Sequence, residues 1–376
     1  MSSPRLLWVI KGLNRGGAER LVTVMAPKIR SHGYHVDVVY VTQGASAFVP
    51  ELRASGIDVT CLEARHPLDL RWAARLARLV RSKRYDLVHT HSPLPAAVAR
   101  LVAPRALPIV HTEHNMWGVY RGATFAVNAC TFARNASAFA VSDGVAASMA
   151  RPLWARVGTM PPVTTLLHGV DAGASPRGPE ARRKAREQLD LGHQTAVIGN
   201  VANFSPKKDH HTLLEAFDRL QDRMPDSTLL LIGMGPLEAE IRAEIAHRGL
   251  SETVHLLGTR DDVADLLPAL DCFVLSSQFE GLPISLLEAM AAEVACVTTS
   301  VGGIPEAIRD GEEGALVPPG NGAALSDAMV TVLSDSRYRS ELAAAGRRRV
   351  LAEFSIDAAV ETQVKHYERV LPHRGT

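Results

Sequence analysis

Apolar and polar positions alternate along this chain in blocks that switch period. Residues 6–10 form a short apolar run that reads as a buried strand, and residues 36–41 alternate with β-branched side chains, the strand pattern again. Further strands are predicted at 86–90, 108–112, 138–141 and 163–167. Helical spacing falls between them, from Ala18 to about Arg30 and over 70–84, and Ser142 is placed to cap a helix over 143–150. A stretch rich in Gly, Ala, Ser and Pro at 171–179 reads as a linker. Beyond it the alternation resumes. Strands are predicted at 196–201, 229–232, 254–257, 272–275 and 295–298. Helices are predicted at 181–191, from 211 to about 220, and at 284–292, 325–333, 339–353 and 356–371. Alternating strands and helices in both halves predict an α/β protein of two Rossmann-like parallel-sheet domains facing a cleft. Their expected bounds are 1–172 and 173–356, with 357–376 as a final helix.

Composition narrows this picture. The 376 residues are 46% hydrophobic, enough for two cores. No 18-residue apolar run offers a membrane-spanning helix, and the first residues read as no signal peptide. Cys61, Cys130, Cys272 and Cys296 have no metal or redox spacing and read as buried, reduced thiols of a cytoplasmic protein. The net charge of +1 is unevenly divided: residues 1–172 carry 20 Lys and Arg against 10 Asp and Glu, the remainder 21 against 30. A basic front half suits an anionic surface or ligand. Arg71, Arg75 and Arg78 share one helix face, either as a solvated stripe or as a contact with anionic lipid. Arg347, Arg348 and Arg349 read as solvated.

The richest chemistry lies at Phe279, Glu280, Gly281, Leu282 and Pro283, between the strand at 272–275 and the helix that follows. Strand, glycine turn and helix start together present free backbone N–H groups to an anion. Glu280 precedes the turn and Glu288 lies inside the helix, so the two can address two parts of one extended ligand. Gly16 and Gly17 open a similar turn after the first strand. His89, His91, His111 and His114 fall near strand ends, where open α/β sheets bind ligands, but no carboxylate or cysteine completes a zinc spacing. No Asp-x-Asp pair exists to hold a divalent ion on a diphosphate, so no metal and no cofactor is expected.

The Glu280-x7-Glu288 element resembles the signature of the retaining GT-B glycosyltransferases, the glycosyl transferases of group 1. That resemblance implies that Glu280 contacts the transferred sugar and Glu288 the ribose of a nucleotide-diphosphate sugar. It implies that the turn of Gly281, Leu282 and Pro283 holds sugar hydroxyls and phosphate. Gly16 and Gly17 match the loop that approaches the donor diphosphate, and His114 the imidazole facing the donor sugar, with His111 as the alternative. Lys208 matches a lysine that clamps the diphosphate; Asn203 stands where an arginine is usual, with Lys207 nearby. Thr259 and Arg260 fall at the turn that binds the base, His168 replaces an asparagine before the domain crossing, and the last helix resembles one that returns to the first domain. The implied activity is retaining sugar transfer to a glycan, lipid-linked or small-molecule hydroxyl, in cell-envelope or exopolysaccharide synthesis. The enzyme would work in the cytoplasm or at the inner membrane face, and nothing points to nucleic acid. A UDP-sugar 2-epimerase on the same fold and a nucleotide-sugar-binding protein without activity are the other readings; a nicotinamide dehydrogenase is disfavoured because no Gly-x-Gly-x-x-Gly follows the first strand.

Overall fold

The computed structural model describes residues 3–66, 69–120, 122–155, 158–173, 175–192 and 194–371. The chain divides into two compact units, Met1–His168 with Ile356–Thr376, and Gly169–Ser355. The crossing is marked by Val170, which pairs with Ser355 and donates its N–H to the Phe354 carbonyl at 3.0 Å. Of the predicted linker, Ala174 lies outside the described residues.

The first unit holds seven parallel strands: β1 Arg5–Ile10, β2 His35–Thr42, β3 Asp58–Ala64, β4 Leu87–Thr90, β5 Ile109–Glu113, β6 Ser137–Ala140 and β7 Val163–Thr165. Their order is β3-β2-β1-β4-β5-β6-β7. Alternate residues of β1 enter two different cores, which is why the run has no polar face. Leu6, Trp8 and Ile10 pack with Leu21, Met25 and Ile29 of the helix Gly17–Ser31. Leu7 and Val9 pack with Trp72, Leu76 and Val80 of the helix Arg71–Ser82. The last helix, Ile356–Val370, adds Val360, Val364 and Tyr367 to the first of these cores, so the chain's end belongs to the unit that holds its beginning.

The second unit has six parallel strands: β8 Ala196–Val201, β9 Ser227–Ile232, β10 Val254–Gly258, β11 Cys272–Leu275, β12 Cys296–Thr299 and β13 Ala315–Val317. The order is β10-β9-β8-β11-β12-β13. Ile198, Leu231, Val274 and Val297 meet Leu213 and Phe217 of the helix His210–Gln221 and Leu325 and Met329 of Gly322–Ser334. Strand order reverses between β1 and β4 in one unit and between β8 and β11 in the other. Ligands of doubly wound sheets bind outside the carboxyl ends of the strands at such points.

Several sequence expectations change. β3 and β13 were not predicted; both are edge strands, β3 with alternating exposure and β13 only three residues long. The helix placed at 181–191 runs from Gly178 to Gln188, with Pro179 in its first turn. The arginines read as solvated are not all so. Arg347 is buried and donates to the carbonyls of Ala291 and Ala172, and Arg349 donates to the Glu306 carbonyl at 2.9 Å. All four cysteines are free, but Cys130 is exposed and Cys61 half-buried. Among the described residues no helix is long and apolar enough to cross a membrane.

Candidate active site

At the reversal of the second sheet, the loop after β8 and the loop after β11 are stitched together by the Ser276 side chain and a backbone hydrogen bond. Ser276 Oγ donates to the carbonyls of Lys208 and Asp209, each at 2.9 Å, and the Gln278 N–H donates to the Lys207 carbonyl at 2.8 Å. Asp209 takes a left-handed conformation, φ +48°, and caps the helix His210–Gln221 by accepting from the Thr212 N–H at 3.2 Å. This stitching brings Lys208 to Glu280. The lysine Nζ and the Glu280 carboxylate form an ion pair with both side chains almost wholly buried, and Ser277 Oγ donates to the same carboxylate oxygen at 2.7 Å.

The loop after β12 closes behind Glu280. The Gly303 N–H donates to the Gly281 carbonyl at 2.6 Å. Gly302 has φ +55°, and a Cβ there would sit 1.9 Å from the Glu280 carbonyl oxygen, so only glycine fits. Gly281, Leu282 and Pro283 are buried; Pro283 is extended and stands immediately before the helix Ile284–Ala291, whose N-terminal amides end at this turn. Glu288 is the fifth residue of that helix and half-buried. Asn203 lies in the β8 loop and is exposed.

Thr259 and Arg260 follow β10, two strands away from β8, and so stand roughly 10 Å from it at about 4.8 Å per strand. Arg260 is anchored rather than available: it grips Asp262 through two hydrogen bonds at 2.8 and 2.6 Å, and that guanidinium holds the Asp262 carboxyl down at about 2. A cavity of about 670 Å³ beside β10, lined by Leu189, Leu191, Leu230, Arg242 and Leu257 among others, contains none of the predicted site residues.

In the first unit the loop after β1 meets the loop after β4, where the Lys11 N–H donates to Ser92 Oγ at 3.1 Å. Gly16 precedes the helix that begins at Gly17, and neither has positive φ. A Cβ at Gly16 would collide with the Glu19 carboxylate, so glycine there lets that side chain fold back over the start of its own helix. The histidines form a chain of packed rings. His89 and His111 lie inside strands and are wholly buried: His89 bonds Tyr367 and Thr112, and His111 bonds Thr90 Oγ1 at 2.9 Å. His114 follows β5. Its Nε2 lies 3.3 Å from His91 Nδ1, and its ring is stacked on His168 at 5.7 Å between centroids. Burial pushes His114 down to about 4 and holds His89, His91 and His168 well below the ordinary histidine value. The row is therefore neutral at pH 7. Beside it Glu113 is buried. Burial alone would raise its carboxyl, but the His111 imidazole 3.5 Å away and a hydrogen bond from Tyr120 hold it below the ordinary range.

Sequence reasoning did not single out Ser277 or Glu113. Ser277 carries no signal beyond its nearness to Glu280; Glu113 shows one, an acid closing the apolar strand before His114.

Two family models cover most of the chain. Residues 181–349 match Glycosyl transferases group 1 and residues 15–173 match Glycosyltransferase Family 4. The chain belongs to the group 1 glycosyltransferases. The N-acetyl-alpha-D-glucosaminyl L-malate synthase of Bacillus anthracis is 26% identical over 314 residues, covering 81% of this chain and 80% of that protein. The GDP-mannose-dependent alpha-(1-6)-phosphatidylinositol monomannoside mannosyltransferase of Mycolicibacterium smegmatis is 28% identical over 370 residues, 89% of this chain and 90% of that one. Among solved structures, Anabaena HepE in complex with UDP and glucose superposes with a TM-score of 0.86 at 21% identity, covering 97% of this chain and all of that one. That likeness establishes the fold: this glycosyltransferase has the two Rossmann-like units expected from its sequence.

Proposed function

We propose that this glycosyltransferase moves a sugar, with retention of anomeric configuration, from a nucleoside-diphosphate sugar to a hydroxyl of a glycan or lipid-linked acceptor in envelope or exopolysaccharide synthesis. The observation that carries the reading is the buried Lys208–Glu280 pair at the β8/β11 reversal, in the loop that leads into the helix Ile284–Ala291. The difficult event in such a transfer is departure of the nucleoside diphosphate as positive charge builds on the sugar. Lys208 and the helix N-terminus supply fixed positive potential for the leaving phosphates. Glu280 holds the sugar, Glu288 the ribose, and Thr259 with the backbone beside Arg260 the base. The donor class is supported by the GDP-mannose-dependent mycobacterial relative and by the UDP and glucose bound to HepE. The lipid character of that relative's acceptor, together with the basic front half of this chain, supports an acceptor met at an anionic membrane face. The reading involves no metal or cofactor, since the chain has no Asp-x-Asp pair to hold an ion on the diphosphate.

Thermal unfolding across UDP-, GDP- and ADP-sugars tests this, because a ligand that binds the folded state raises the melting temperature. One nucleotide series should stabilise the protein, and Lys208→Ala should abolish the shift. Glu280→Gln should keep the shift and lower nucleotide release by about 100-fold or more, the scale of losing a transition-state contact. No stabilisation by any donor, or full release by Glu280→Gln, would refute the assignment.

A further inference from the structure

We infer that the turn Leu153–Ala155 of the first unit is a docking tip for an anionic lipid bilayer, with Leu153 and Trp154 entering the interface. The inference deepens the functional reading above, on which it rests only for why the enzyme should meet a membrane.

Leu153 is 78% exposed and Trp154 60%. Neighbouring large apolar side chains held in water are a cost that folding does not explain. The turn is not loose. Arg151 is buried, and its guanidinium donates to the Gly158 carbonyl at 2.8 Å and reaches the Ala155 carbonyl at 3.5 Å. A charged group is thus spent beneath the turn to fix its shape. The Trp154 ring packs edge-on against Phe125 with centroids 6.2 Å apart, and Phe125 meets the buried Trp117 at 6.1 Å. The exposed tip is therefore the outer end of an aromatic row rooted in the core.

Charge and size choose the partner. The first unit carries 23 Lys and Arg against 12 Asp and Glu. Between His114 and Met160 the sequence has a single acid, Asp143, whose carboxylate is engaged by Thr165 Oγ1 at 2.5 Å. The partner is thus anionic at its surface and apolar beneath. Two protruding side chains cannot supply the roughly 800 Å² per partner of a stable protein interface. A bilayer accepts so small a wedge, and tryptophan suits its headgroup region. The Arg71–Ser82 helix is a poorer candidate: Arg71 is locked onto Asp69 by bonds of 2.8 and 2.9 Å, and Arg75 donates to the Leu62 carbonyl at 2.7 Å.

The molecule carries its own probe. Of the four tryptophans, Trp8, Trp72 and Trp117 are buried and Trp154 alone is exposed. The full chain is mixed at low salt with phosphatidylcholine vesicles, with and without phosphatidylglycerol. The expected result is co-sedimentation with the anionic vesicles and a blue shift of tryptophan emission. The double variant Leu153→Ser, Trp154→Ser should keep its melting temperature and partition at least about tenfold more weakly. The inference is overturned if the wild type neither sediments nor shifts, or if the double variant binds as well as the wild type. It is also overturned if the tip instead drives lipid-free self-association that the double variant removes. Nucleotide-sugar stabilisation is measured in parallel on both proteins. Its absence sinks the functional reading and leaves vesicle binding standing, and the reverse result sinks only the docking tip.

Discussion

Acidification should destabilise the first unit well before carboxylates begin to titrate. His89, His91 and His168 are at most 4% exposed, and burial, together with the neighbouring imidazoles, holds all three well below the ordinary value. In the unfolded chain each takes up a proton near pH 6.5. Where the unfolded state binds more protons, stability rises with pH, so the stability these residues permit is full above pH 6.5 and falls as pH drops. With the fold keeping them neutral, each contributes a loss of about 1.4 kcal/mol between pH 7.5 and 5.5, so the three together give about 4 kcal/mol. That is a large share of a typical domain's 5–15 kcal/mol. His114, pushed down to about 4, and His111, also lowered, act in the same direction. Glu113 and Asp37 are held below the ordinary carboxylate range, so their contribution is lost only at lower pH, outside this window. All four tryptophans belong to the first unit, so urea unfolding followed by their fluorescence reports it selectively. Far-ultraviolet circular dichroism follows both units. With His114 counted beside these three, His168→Asn should remove about a quarter of the pH effect. A change below about 1 kcal/mol between pH 7.5 and 5.5 would refute the reasoning.

Other perturbations have similarly direct outcomes. Gly302→Ala places a Cβ against the Glu280 carbonyl oxygen at a left-handed backbone position, and should destabilise the second unit by about 1–3 kcal/mol in urea unfolding monitored by circular dichroism. Arg186 is buried and bonds Asp271 at 2.8 Å together with the carbonyls of Gly192 and Thr195; Arg186→Ala leaves Asp271 its Arg182 partner at 2.7 Å but takes the donor from both carbonyls, and should cost about 1–3 kcal/mol in the same assay. Asn203→Arg adds a cation to the exposed β8 loop, and should tighten nucleotide-sugar binding by about tenfold in calorimetry, with the gain shrinking as salt rises.

The sequence carried the sheet interiors more clearly than their margins. The runs at 6–10 and 272–275 are buried on both faces, and a strand in that position has no polar residue to blur its pattern. β3 alternates Val59, Cys61-adjacent Leu62 and Ala64 with polar neighbours and bends at Glu63, φ +51°, so its signal is that of a loop with scattered apolar residues. The arginines at 347 and 349 were misread for a different reason. A charged residue at helical spacing looks solvated unless the carbonyls it serves are known, and those belong to residues far away in sequence. Cys130 was misread because a thiol's burial depends on which face of its helix, Gly122–Thr131, meets the rest of the unit. The site divided along the same line. Glu280 and the turn after it were legible because the motif is local. That Lys208 meets Glu280 depends on which two strands flank the reversal, and strand order is not written in any one segment.

The resting ion pair bears on how the donor would enter. A lysine and a glutamate buried together are tolerable because each satisfies the other; separated, each would be a charge without a partner. A sugar nucleotide that offered its phosphates to Lys208 and its hydroxyls to Glu280 would replace both halves of the pair at once, whereas a nucleotide lacking the sugar would leave Glu280 with only Ser277. On this argument the sugar-bearing donor should bind more tightly than the bare nucleoside diphosphate. Glu280→Gln should narrow that difference, because a neutral amide beside Lys208 is the smaller loss when no sugar is present. Equal affinities for the two ligands in the wild type would mean that the pair stays closed during binding, and that Glu280 serves the fold rather than the sugar.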